Sequence, residues 1–220
     1  MTQTIRRLSI ILILPLFLIT NSIQLLINPI FLEVEYRAPG FPQDPYGFTL
    51  QDRLKWSKLC VNYLINTEGI DYLGDLRFDD GSVVFNDREL AHMVDVKNLV
   101  QKVIVAWYFM IIFVLLFGYL AWRYEWFGEY WLLLRRGAWI TLGFVAFVLI
   151  ALVISFYGLF TVFHQLFFSG DSWLFLYSDT LIRLFPLRFW QDAFILVGIF
   201  TIVQAVLILI FSRKFNMQKN

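Results

Sequence analysis

Four stretches of this chain, at about residues 8–30, 103–121, 138–160 and 193–211, are apolar for long enough to cross a bilayer. The hydrocarbon core is ~30 Å thick and a helix rises 1.5 Å per residue, so about twenty apolar residues span it. Backbone polar groups inside lipid must be satisfied within the segment, which leaves the helix as the form these runs take. The chain as a whole is 59% hydrophobic, against roughly 45–50% in soluble domains. An all-α polytopic membrane protein with four transmembrane helices follows, read as a single membrane domain over residues 1–220. Arg6 and Arg7 precede the first run as they would in a signal peptide, but the run is too long and no small-x-small site closes it after Thr20. A retained anchor is expected.

Four spans place both termini on one side, and charge says which. Arg6, Arg7, Arg123, Arg135, Arg136, Arg213, Lys214 and Lys219 share that side with only Glu125 and Glu129, while the other side carries fifteen of the seventeen acids. The positive-inside rule puts both termini in the cytoplasm and residues 31–102 and 161–192 outside. The net charge of +1 makes no case for nucleic acid. Cys60 is the one cysteine, so no intramolecular disulfide framework or multi-cysteine metal site exists, and a lone cysteine on a helix reads as packing before it reads as a nucleophile.

Residues 31–102 read as a small extracytoplasmic cap of one helix and one hairpin. APGFPQDPYG, between Arg37 and Phe48, is an extended connector. Thr49 caps a helix over 49–66 that turns Leu50, Leu54, Ser57, Val61 and Leu64 to one face. Residues 76–78 and 83–85 flank Asp79, Asp80, Gly81 and Ser82 as a hairpin. A cap this small cannot bury a core of its own. Asn86 and Glu89 then form a capping box, opening one helix from about Asp87 to Ala121. His92 lies on it, eleven residues before Val103, or ~16 Å above the hydrocarbon edge at helical rise.

The second outer stretch, FHQLFFSGDSWLFLYSDTLIRLFPLRFW at 163–190, is too apolar for a solvated loop and too interrupted to span. It reads as an interfacial aromatic-rich segment, a composition that also suits a plain aromatic belt. It carries His164, with Asp171 and Ser172 as caps and Asp179 and Arg183 at i, i+4 spacing.

His92 and His164 are the chain's two histidines, in separate segments on the same expected face of the membrane. Imidazole exchanges a proton near neutral pH, so a shared acid-base site is one reading and two structural histidines the other. Two histidines without HExxH or similar spacing make a poor zinc site, and no metal is expected. A serine hydrolase is a weaker reading still, since no GxSxG elbow surrounds Ser169 or Ser172.

FNDRELAHMVDVKNLV at 85–100, the 163–194 segment continuing to QDAF, and YGFTLQDRLKWSKLCVNYL at 46–64, set among four spans in this order, resemble the bacterial lipoprotein intramolecular transacylase family. The resemblance covers most of the chain. It implies a cell-membrane acyltransferase whose substrate is a diacylglyceryl lipoprotein embedded among membrane lipids. The sn-2 acyl chain moves from the glycerol oxygen to the α-amine of the N-terminal cysteine, giving an N-acyl lyso-form. The substrate brings its own nucleophile, and ester to amide is downhill, so no cofactor is implied. His92 and His164 become the expected proton-handling pair on the extracytoplasmic side. Arg183 and the amides around Asp171 and Ser172 are oxyanion candidates, with Asp95 as an orienter of His92; each has an equal reading as a local ion pair or cap. A non-catalytic accessory or lipid-binding protein is the alternative. A two-chain substrate would need a lateral opening, for which Asn21, Gln24, Asn28 and Gly158 are candidate lining residues; the other reading is hydrogen bonding across a packed bundle.

Overall fold

The computed structural model describes residues 3–168 and 170–216. Ser169 and Lys219 lie outside the described residues. Among the described residues, the chain is helical with no strand: α1 (Gln3–Leu26), α2 (Pro29–Glu35), α3 (Leu50–Ile65), α4 (Asp71–Gly74), α5 (Asp87–Arg123), α6 (Phe127–Ile154), α7 (Phe156–Phe167), α8 (Thr180–Leu184) and α9 (Leu187–Asn216). It divides into two compact units.

The first unit holds the described parts of residues 1–25, 104–154 and 195–220, so it is built from α1, α6 and the apolar lengths of α5 and α9. These four helices are the ones long and apolar enough to cross a membrane. Ile10, Leu14 and Leu18 of α1 pack with Ala121, Tyr130, Leu133, Leu134, Ala138 and Ala205. Gly137 lets α6 meet α1 closely, since a Cβ there would stand 2.9 Å from the Ile11 carbonyl oxygen and 3.0 Å from Leu14. Asn21 receives the Trp107 indole N–H at 3.2 Å and donates to Gln204 at 2.7 Å, and Gln204 donates to Ser22, which meets Thr201. Of the two readings of its polar stripe, Asn21 follows the hydrogen-bonded one.

The first and third apolar runs are each interrupted sooner than hydropathy alone suggests. Asn28 is the N-cap of α2, its side chain accepting the N–H groups of Ile30 and Phe31 ahead of a proline at the first turn. The first helix accordingly ends at Leu26 rather than running to residue 30. Ser155 leaves the helical region at φ −159° and accepts the Gly158 N–H at 3.0 Å, ending α6 and starting α7. An N-cap side chain competes with the helix for its own backbone donors, which is how a single polar residue divides an apolar run.

The second unit comprises residues 26–103 and 155–194. Thr49 and Asp52 form the capping box that starts α3. The expected hairpin is reduced to one antiparallel bridge, Arg77 to Val83, closed by Gly81 at φ +84°. A two-stranded hairpin with no third strand beside it is marginally stable at best. The unit buries a core that residues 31–102 do not close by themselves: Trp56, Cys60, Tyr63, Leu73, Val84, Phe85 and Met93 close around Leu181 and Leu184 of α8. The missing apolar surface comes from the second outer segment.

Candidate functional site

Two fixed helix ends carry the histidines. At the start of α5, Glu89 accepts the Asn86 N–H at 2.8 Å while Asn86 accepts the Glu89 N–H at 3.0 Å, the reciprocal capping box expected from their spacing. The same carboxylate also receives the Leu181 N–H at 2.7 Å, and the Thr180 hydroxyl donates to the Val84 carbonyl at 2.6 Å. Glu89 is 1% exposed, and burial pushes its carboxyl above the usual carboxylate range against the pull of these amides. His92 follows one turn later, still ahead of the apolar length of α5. His164 sits in the last turn of α7.

The two imidazoles meet. Their ring centroids are 6.1 Å apart and their planes 20° from parallel, and each residue is only 8% exposed. Phe168 and Phe175 present their edges to His92 at 5.1 and 5.3 Å. Phe160 and Trp173 lie over His164 at 4.0 and 5.0 Å, with Phe163 and Phe168 at 5.5 Å. This aromatic enclosure was absent from the sequence reading, which had Phe and Trp as interfacial anchors.

Burial disfavours the charged form of both rings. His92 is lowered to about 4 by desolvation first and by His164 second. His164 is lowered by desolvation against the opposing effect of its bond to the Phe160 carbonyl. At neutral pH both are neutral. The His164 Nδ1–H donates to the Phe160 carbonyl oxygen at 2.8 Å, and because a carbonyl only accepts, the neutral ring has its lone pair on Nε2. His92 Nδ1 is buried with no hydrogen-bond partner. Asp95 therefore does not orient His92 through that nitrogen; its carboxylate instead receives the Ser172 hydroxyl at 3.4 Å.

The remaining predicted residues are spread over the unit. Arg183 makes its ion pair with Asp44 at 2.9 Å, donates to the Tyr46 carbonyl and lies 3.4 Å above the Phe48 ring. It does not pair with Asp179. Asp179 binds Arg88 at 2.8 Å and Asn86 at 3.2 Å, and accepts the Leu176 N–H. Asp171 is exposed, and its carbonyl accepts the Leu174 N–H in a turn, so no helix follows for it or Ser172 to cap. Cys60 is 1% exposed in the core, and burial pushes its thiol up, away from the reactive thiolate. No group of three or more His, Cys, Asp or Glu side chains suited to a metal ion occurs among the described residues. The Asp44 partner of Arg183 was hidden in a Pro-Gly connector, where no periodicity marks a contact.

Comparison with known proteins bears on the same regions. A family model described as lipoprotein intramolecular transacylase Lit matches residues 8–190. An uncharacterized protein of Aquifex aeolicus (strain VF5) is 30% identical over 212 residues, covering 94% of each chain. The in meso structure of the membrane integral lipoprotein intramolecular transacylase Lit from Bacillus cereus superposes with a TM-score of 0.80 at 19% identity, over 98% of this chain and 96% of that one. Two structures of that protein with a histidine replaced superpose at 0.74 and 0.73, covering 98% of this chain and 92% and 94% of those. At such identity these structures speak for the fold.

Proposed function

The chain belongs to the lipoprotein intramolecular transacylase family, and from that premise we propose that this membrane acyltransferase moves the sn-2 acyl chain of a diacylglyceryl lipoprotein to the α-amine of its N-terminal cysteine, with His92 and His164 handling the protons. The observation that carries the histidine assignment is the buried stack of two neutral imidazoles with a defined tautomer on His164.

The α-amine, with pKa ~7.7–8.0, first gives a proton to water. Its lone pair attacks the ester carbonyl carbon through an eight-membered ring. As the C–N bond forms, His164 Nε2 takes an amine proton. As the C–O bond to glycerol breaks, the resulting imidazolium returns that proton to the departing oxygen. One proton moves from nitrogen to oxygen and the enzyme ends as it began. General acid-base help of this kind is typically worth about 10²–10⁴-fold, and holding amine and ester together contributes more. For His92, a proton on Nδ1 would bury an unpaired N–H, so we assign it to Nε2, as a neutral donor to the oxyanion of the tetrahedral intermediate. The enclosing phenyl and indole rings keep both imidazoles neutral and water away from the intermediate.

The charge distribution supports an extracytoplasmic site: the segments bearing both histidines are acid-rich, and the helix ends with clustered Arg and Lys are the opposite ones. The test is to express His92→Ala and His164→Ala separately in a host lacking the activity and to weigh the N-terminal lipopeptides. Loss of the lyso-form in both supports the pair. Wild-type amounts from either variant remove that histidine from the mechanism.

A further inference from the structure

Two imidazoles that are each 8% exposed cannot touch a two-chain lipid where they stand. Part of what covers them is a short irregular segment. Trp173 lies 5.0 Å from His164 and Phe175 lies 5.3 Å from His92, both within residues 170–178, which hold no helix or strand. The polar contacts of this segment are mostly internal: the Trp173 indole N–H to the Gly170 carbonyl, Leu174 N–H to the Asp171 carbonyl, and Leu176 N–H to Asp179. Its tie to another element is the Ser172 hydroxyl on Asp95, long at 3.4 Å and one turn beyond His92 on α5, with Arg88 over the Phe175 ring at 5.8 Å.

The two ends of the segment are fixed differently. Gly170 sits at φ +72°, a backbone state that other residues adopt at a cost, with open space around its Cα. At the far end Asp179 is held by Arg88 and Asn86. The outward side of the segment is apolar, with Leu174, Leu176 and Tyr177 at 45%, 62% and 83% exposure. A cover with an aromatic underside, an apolar outer side and, among the described residues, one weak polar tie to another element has the makeup of a gate for acyl chains.

We propose that residues 170–178 are a lid over the histidine pair, latched by Ser172 on Asp95, which lifts to admit the acyl chains and closes for the transfer. Its purpose rests on the acyl-transfer reading; its movement does not. Asp95 and Ser172 then act on access to the histidines, and neither touches the reacting atoms.

The latch can be made covalent. Asp95→Cys and Ser172→Cys are introduced together in the full-length protein, where native Cys60 is buried and competes little for oxidant. The pair is closed as a disulfide, or with a short thiol-reactive cross-linker where the disulfide does not form. Two readouts are taken before and after reduction: turnover of a diacylglyceryl lipopeptide, and carbethoxylation of the histidines by diethyl pyrocarbonate. A working lid predicts that the closed form loses about tenfold or more in both, and that reductant restores both for the disulfide. The single variants under oxidant behave as the reduced pair. Turnover and carbethoxylation within about twofold of the reduced form in the cross-linked protein would overturn the proposal. Should the unmodified enzyme fail to turn over the lipopeptide, the carbethoxylation readout still decides the lid while the acyl-transfer reading falls alone.

Discussion

His92 and His164 stack 6.1 Å apart inside a shell of Phe160, Phe168, Trp173 and Phe175, and burial lowers the proton affinity of both rings. Unfolding exposes imidazoles that bind protons near pH 6.5, while the folded His92 resists until about 4. The unfolded state therefore holds more protons in this window, and stability falls as pH drops from about 6.5 toward 4. For His92 the full effect is on the order of 3 kcal/mol, at 1.36 kcal/mol per pKa unit. Thermal unfolding in detergent across pH 4–8 should show this slope, and His92→Phe should flatten it. A wild-type slope unchanged in the variant would contradict the burial argument.

The same depression shapes the rate profile. With burial lowering the proton affinity of both imidazoles, the group that titrates above neutral pH is the substrate amine, at pKa ~7.7–8.0. The kcat/KM of lipopeptide turnover should rise with pH through a half-maximum near 8 to a plateau above about 9, without an inflection near 6.5. An inflection at 6.5 would show a histidine exposed to solvent in the working enzyme.

Glu89 joins Asn86 and Leu181 through one buried carboxylate. Glu89→Gln keeps the shape but presents an amide N–H₂ to one of two N–H donors. A buried unsatisfied donor costs about 1–3 kcal/mol, so the variant should melt lower and turn over more slowly, since His92 is carried one turn away. Melting and turnover equal to wild type would show that the carboxylate does not hold this helix end.

How much of this was legible in the sequence depended on whether the determinant was local. The cap at Thr49 and the capping box at Asn86–Glu89 were readable because donor and acceptor lie three residues apart, though the return bond from Asp52 that completes the box at Thr49 was not read. The four apolar helices followed from hydropathy. Asn28 and Ser155 were read as part of spans, and both proved to be N-caps, because an apolar average hides a single residue that offers the backbone another partner. The two histidines were identified from their rarity and expected side. Their tautomer, their enclosure by Trp173 and Phe175, and the partner of Arg183 depend on contacts between distant segments, which no local pattern encodes.

Arg183 gives a test between structure and catalysis. Its Asp44 partner has a fully buried side chain and Arg183 itself is largely covered, so removing either partner should cost about 3–5 kcal/mol through the unpaired charge left behind. Arg183→Ala and Asp44→Asn should then lower stability and activity together and to a similar degree. Had Arg183 been an oxyanion donor, Arg183→Ala alone would lose about 10²–10³ in kcat.

Gly137 sets how near α6 comes to α1. Gly137→Ala brings a methyl to 2.9 Å from the Ile11 carbonyl oxygen, and overpacking of this kind costs about 1–3 kcal/mol. A lowered melting temperature with normal kcat at permissive temperature is expected; an unchanged melting temperature would mean the helices separate freely.

The central claim is an intramolecular transfer of the sn-2 chain assisted by the histidine pair. Purified enzyme is given two synthetic diacylglyceryl lipopeptides together, one with a deuterated sn-2 chain on an isotopically heavy peptide and one with both unlabelled. Fragment masses of the products are then read. The deuterated chain should be found on the α-amine of the heavy peptide only, with the rate reduced by about 10²–10⁴ in His164→Ala. Deuterated acyl on the light peptide, label remaining on glycerol, or an undiminished rate in the variant would contradict the mechanism.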